Sequence, residues 1–66
     1  MNFETYRKRG KGWEYLGVVS AETCRDAAQM IGYIHNLKVI GVRPEDSRDI
    51  IQVYRFLRVP ELHHGK

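Results

Sequence analysis

The clearest local signal in this 66-residue chain is one apolar period of the helical kind, and that restricts the folds open to it more than any other feature. Cys24, Ala27, Ala28, Ile31 and Ile34 follow the i, i+3, i+4, i+7 spacing of a single narrow stripe. Thr23 followed three residues later by Asp26 resembles a capping box with the shorter acid, and Glu22 and Asp26 put negative charge where a helix N-terminus favours it. Asn36, which tolerates positive φ, is the expected left-handed stop. Gly32 weakens the helix by up to ~1 kcal/mol relative to alanine, or else marks a close contact. A lone helix with so narrow a stripe needs a sheet to lie on.

The remaining segments supply that sheet. Phe3 to Arg9 and Trp13 to Val19 are rich in aromatic and β-branched residues and are separated by Gly10-Lys11-Gly12, which reads as a β-hairpin. Regular alternation along the second strand sets Trp13, Tyr15, Gly17 and Val19 on one face and Glu14, Leu16 and Val18 on the other. Gly17 removes a side chain in mid-strand, as a closely packed helix requires, so the Trp13/Tyr15/Val19 face is expected beneath the helix. Leu37 to Val42 reads as a third strand closed by Pro44. Residues 50–59 alternate as a fourth strand through Ile51, Val53, Arg55, Leu57 and Val59, with the helical spacing Ile50, Val53, Tyr54, Leu57 as competitor. The expected fold is α+β, with an antiparallel-rich sheet of three or four strands and one helix on one face, in the order ββαβ(β). Residues 1–60 form the expected domain and 61–66 a disordered tail. Leu16, Val18, Ile40 and Val42 are expected on the face that the helix leaves open.

Size limits what such a domain can do. A chain this short buries only about 60% of the surface its unfolded form exposes. With one cysteine, Cys24, an internal disulfide is impossible, and a reducing cytoplasm is the expected setting. No run approaches the ~20 apolar residues of a membrane helix, and the N-terminus lacks a signal-peptide core of ~7–15 apolar residues. Metal and catalytic chemistry find little footing. His63 and His64 are adjacent in the tail and point apart, and His35 is better read as a cation at a helix C-terminus. Cys24 belongs to the apolar stripe and reads as a small buried hydrophobe. The acids Glu45, Asp46 and Asp49 lack the ligand count and turn glycine of a calcium loop. Gly10-Lys11-Gly12 joins two strands, so it is no phosphate loop. Neither enzymatic activity nor a cofactor is expected.

The charge pattern is more informative. Eleven Lys and Arg oppose eight Asp and Glu, for a net charge of +3. Arg7, Lys8, Arg9 and Lys11 crowd the hairpin turn with Trp13 just behind, while Glu45, Asp46 and Asp49 gather in a later loop. A cationic turn with aromatics at hand can grip phosphates or a carboxylate-rich surface, with Trp13 or Tyr6 free to stack on a base. The same charges on a merely solvated hairpin would keep the chain soluble. Arg43, Arg55 and Arg58 extend the basic surface if the third and fourth strands adjoin the hairpin.

Three resemblances point the same way. Ala21-Glu22-Thr23, the helix containing Ala27 and the ending Val42-Arg43-Pro44 resemble the small phage-encoded inhibitors of bacterial RNA polymerase over about residues 3–44. That resemblance implies a ββαβ fold and a role for Arg43 against an acidic protein surface; the segment 50–59 has no counterpart in that family. Tyr15-x-Gly17-x-Val19-x-Ala21 followed by Ala27 or Ala28 resembles the small non-catalytic subunit of the phenylacetyl-coenzyme A epoxygenase complex, and the layout is also similar to that of small archaeal ribosomal proteins. Each implies a non-enzymatic accessory protein docked on a large assembly. The expectation is therefore a binding module whose Arg7, Lys8, Arg9, Lys11, Trp13, Arg43 and Arg55 meet an acidic macromolecule, nucleic acid or ribonucleoprotein in the first instance. A protein-docking inhibitor or accessory subunit is the alternative, and a homodimer through the exposed sheet face the third reading.

Overall fold

The computed structural model describes residues 1–61 and contains four strands and one helix. Strands β1 (Asn2–Arg9), β2 (Gly12–Ser20), β3 (Val39–Pro44) and β4 (Gln52–Arg55) form one sheet in the order β2-β1-β3-β4, with every neighbouring pair antiparallel. Helix α1 (Cys24–His35) links β2 to β3. Those two strands lie parallel on either side of β1, a connection that needs a helix-length crossover. The α+β expectation with a four-stranded sheet is met. His63 and His64 lie outside the described residues.

The helix begins and ends on its sequence signals. Thr23 is extended, and its Oγ1 accepts from the Asp26 amide at 3.1 Å, satisfying one of the free donors of the first turn. Asn36 closes the helix at φ 59° and ψ 51°, and the Leu37 amide donates to the Gly32 carbonyl at 2.8 Å. Because Leu37 is spent on this cap, β3 starts at Val39 rather than at Leu37 and runs on to Pro44, whose missing N–H is tolerated in the terminal pair with Phe3.

The core is thin and lies between α1 and the first and third strands. Phe3, Ala27, Ala28, Ile31, Ile40 and Val42 are buried, with Leu16, Val19, Leu37, Tyr54 and Phe56 packed around them. The alanines let the helix approach closely. Ile40 and Val42, expected on the open face, are fully buried beneath the helix, since the register pairs Thr5 with Val42 and Arg7 with Ile40. Ile34, expected in the helical stripe, is exposed. The buried helix residues are Ala27, Ala28, Ile31 and Gly32, and the chain beyond β4 crosses the helix at the last of these, where a Cβ on Gly32 would meet the Pro60 ring at 2.8 Å. This crossing also explains why β4 holds only four residues of the expected 50–59. The Phe56 amide donates to the Lys38 carbonyl at 2.8 Å, and the chain then leaves the sheet.

One irregularity decides which side chains face which way. Phe3 pairs with Val19 and Thr5 with Gly17, but Tyr6 pairs with Tyr15, so Leu16 is an extra residue without a partner. Gly17 sits at φ 118°, a conformation open to glycine and strained for other residues. The buried Thr5 hydroxyl donates to the Gly17 carbonyl at 2.8 Å and pins the bulge. From there to the turn the phase of β2 is inverted. Val19 faces the helix as expected, Trp13 and Tyr15 do not, and Leu16 packs toward the core instead of joining Val18 on the open side.

Candidate nucleic-acid interface

The inverted phase assembles an aromatic surface on the side of the sheet that has no helix. Its central row is Tyr15, Tyr6, Gly41 and Val53, one residue from each strand in spatial order. On the turn side, Trp13 pairs with Lys8. Lys8 lies one step beyond the Arg7–Ile40 pair and so stands level with Val39, whose other neighbour is Arg55. On the far side, Val18 pairs with Glu4 and Glu4 with Arg43. Of the residues singled out in the sequence, Lys8, Trp13, Arg43 and Arg55 therefore share one surface.

Gly41 leaves room over β3 for side chains from the neighbouring strands. A Cβ there would lie 3.2 Å from both Cε3 and Cζ3 of Trp13 and 2.6 Å from Cγ2 of Ile51, so the absence of a side chain lets the indole reach from β2 across to β3. The Lys8 ammonium stands 5.0 Å from the centroid of the Trp13 ring, within cation–π range. The Tyr6 and Tyr15 ring centroids are 5.6 Å apart with the planes tilted by 56°, and Tyr15 is 56% exposed.

Glu4, Tyr6 and Arg43 form a closed polar group beside the aromatics. One oxygen of Glu4, Oε1, accepts from Arg43 Nη2 at 2.7 Å, from Arg43 Nε at 3.0 Å and from the Tyr6 hydroxyl at 2.8 Å. Arg43 also lies 5.8 Å from the Tyr6 ring centroid. The Arg43 hydrogen bond, helped by that from Tyr6, holds the Glu4 carboxyl below its ordinary value and keeps it ionised. Desolvation, with the Glu4 contact second, pushes the Tyr6 phenol upward. Arg43 is thereby fixed in orientation with its charge largely answered.

Strand alternation splits the cationic turn. Gly10 and Lys11 form a two-residue loop with positive φ at Gly10 alone, the φ pattern of a type II′ turn. Arg7 and Arg9 project on the helix side, where Oε1 of Glu14 accepts from Arg7 Nε at 2.7 Å and Arg9 Nη1 at 3.0 Å. This pairing, led by Arg7, lowers the Glu14 carboxyl in turn. Two of the four cations at the turn thus share an internal carboxylate. Lys8, Lys11 and Arg55 have no carboxylate partner among the described residues. The acidic loop after β3 lies at the opposite end of the sheet, where the Glu45 amide donates to the Asn2 carbonyl.

The turn cations and Trp13 are legible in the sequence, but Tyr15 is displaced by the bulge, and Glu4, Glu14 and Gly41 carry no signal of their own before strand pairing is known. Gly17 is the one available hint, since a mid-strand glycine marks a bulge as readily as a close helix. Among the described residues no three His, Cys, Asp or Glu side chains converge to hold a metal ion, and no helix is long and apolar enough to cross a membrane. Comparison with protein-family models, curated proteins and solved structures finds no match to the chain.

Proposed function

We propose that this chain is a small nucleic-acid-binding module that works through the uncovered face of its sheet and the cationic turn beside it. The observation that carries the reading is the juxtaposition of Tyr15, Tyr6 and Trp13 with Lys8, Lys11 and Arg55, three cations without carboxylate partners among the described residues. Aromatic faces for bases next to free cations for phosphates are what such a ligand requires. The acidic loop at the far end gives the molecule a polarity that orients the approach of a polyanion. Cytoplasmic residence is part of the proposal, supported by the single free cysteine, Cys24.

The test is fluorescence anisotropy of a short labelled oligonucleotide across a salt series. Binding should weaken with a log–log slope near −0.7 to −0.9 per phosphate contacted, hence roughly −2 to −3 for three contacts. Reversing Lys8, Lys11 and Arg55 to glutamate leaves every ion pair of the fold in place and should abolish binding. A salt-independent signal, or one that survives the triple reversal, refutes the reading. A second reading is favoured by the apolar share of the same face, where Tyr15, Val18 and Val53 are 56%, 41% and 42% exposed: two copies would pair there. Sedimentation of a monomer at micromolar concentration rejects it.

A further inference from the structure

We infer that the nucleic acid this face takes is an unpaired strand laid across the four β-strands, with one base stacked on Tyr15 and its neighbour against Trp13; this deepens the reading above and rests on it. Two observations separate a single strand from a duplex. The molecule is a slab 36 × 27 × 16 Å, one helix layer on one sheet layer, and the helix lies on the face opposite the aromatics, where only side chains such as Ile51 over Gly41 rise from the sheet. A plane meets the splayed bases of a single strand, whereas a duplex groove must be entered by a protruding helix or ribbon. The tight β1–β2 hairpin, which could serve as such a ribbon, has two of its four cations, Arg7 and Arg9, already bonded to the Glu14 carboxylate and so less free for groove phosphates.

The aromatics also differ in readiness. Tyr6 is held by Glu4, Arg43 and the Tyr15 ring, so it supports and does not receive. Tyr15 is the most exposed ring on this face and offers a free side. Trp13 is anchored against Gly41 with the Lys8 ammonium over its ring, and a base taken there displaces that ammonium towards its own phosphate. From Trp13 to Arg55 the row spans three strand spacings, about 14 Å at ~4.8 Å each. That is the breadth on which open sheets stack two or three bases.

The experiment compares a labelled oligouridine with a duplex of equal length, titrated with the wild-type chain, Tyr15→Ala, Tyr15→Phe and Tyr15→Leu. Tyr15 is exposed, so none of the three changes empties the core. The single strand should bind at least about tenfold tighter than the duplex and should quench Trp13 emission. Losing one stacked base should weaken it about 5- to 150-fold in Tyr15→Ala. Tyr15→Phe should restore affinity to within about twofold, and Tyr15→Leu, which keeps apolar bulk without a ring, should not. Equal affinity for the duplex, or a Tyr15→Ala variant that binds as well as wild type, overturns this inference while leaving nucleic-acid binding intact. Failure of the wild type to bind either form, with capture of an acidic polypeptide instead, overturns both.

Discussion

Gly41→Ala is the perturbation that most directly probes how the open face is built. The new methyl would lie 2.6 Å from Ile51 Cγ2 and 3.2 Å from two atoms of the Trp13 ring, against about 3.5–4.0 Å for ordinary carbon contacts. The Ile51 methyl is attached to a branched β-carbon and cannot swing aside without leaving its rotamer or shifting the backbone. Forcing a methyl into a filled site costs about 1–3 kcal/mol. The backbone at Gly41 does not have positive φ, so alanine recovers about 0.4–1 kcal/mol through the unfolded chain. The net loss is about 1 kcal/mol, which for a domain of this size lowers Tm by roughly 4–8 °C. Thermal unfolding followed by circular dichroism reads the shift, and emission from the single tryptophan reads displacement of the indole. Ile51→Ala in the same background removes the worst contact, so the double variant should be less destabilised than the sum of the two, with a coupling of about 0.5–3 kcal/mol. Additive losses together with unchanged emission would refute the placement of Trp13 and Ile51 over Gly41.

Two further outcomes test the electrostatics and the helix stop. Glu4 and Glu14 both ionise more readily in the folded chain than in the unfolded one, so their contribution is fully present above about pH 4.5 and is lost as the pH falls through the lower folded values. Urea unfolding at a series of acid pH values should show this fall, and Glu4→Gln should flatten it; an unaltered profile would mean that Arg43 and Glu4 are not paired in solution. Asn36→Ala, which forces a side chain with no local hydrogen bonding into the left-handed region, should cost about 1 kcal/mol, while Asn36→Gly should be neutral or stabilising in the same unfolding assay.

How far residues could be read into structure depended on whether their signal was local. Thr23 and Asn36 bracket the helix because each satisfies helix-end groups through nearby backbone, and the hairpin follows from glycines adjacent to its turn. Gly32 is a close contact, but the partner is Pro60, twenty-eight positions further on by subtraction of the residue numbers, and no local pattern announces it. Ile40 and Val42 face the helix and not the open side for a similarly non-local reason: the face of a short β-branched strand is set by which residue pairs with Thr5, not by its own sequence. At the binding face the difference is sharper. Alternation is a valid rule for β2 only until Leu16, and the single unpaired residue moves Trp13 and Tyr15 from the dry side of the sheet to the wet one. The turn cations were visible as a group, yet their division between Glu14 and solvent emerges only when Arg7 is set opposite Glu14.

The bulge has a further effect on how copies of the chain meet. β2 is an edge strand of nine residues, long enough by itself to template lateral growth into fibrils. The unpaired Leu16 breaks that border into two runs of four, Gly12–Tyr15 and Gly17–Ser20, and the opposite border, β4, is itself only four residues long. Neither margin presents a straight, uninterrupted row of amide donors and carbonyls, so the kink that turns the aromatics outward also discourages the sheet from polymerising through its rims.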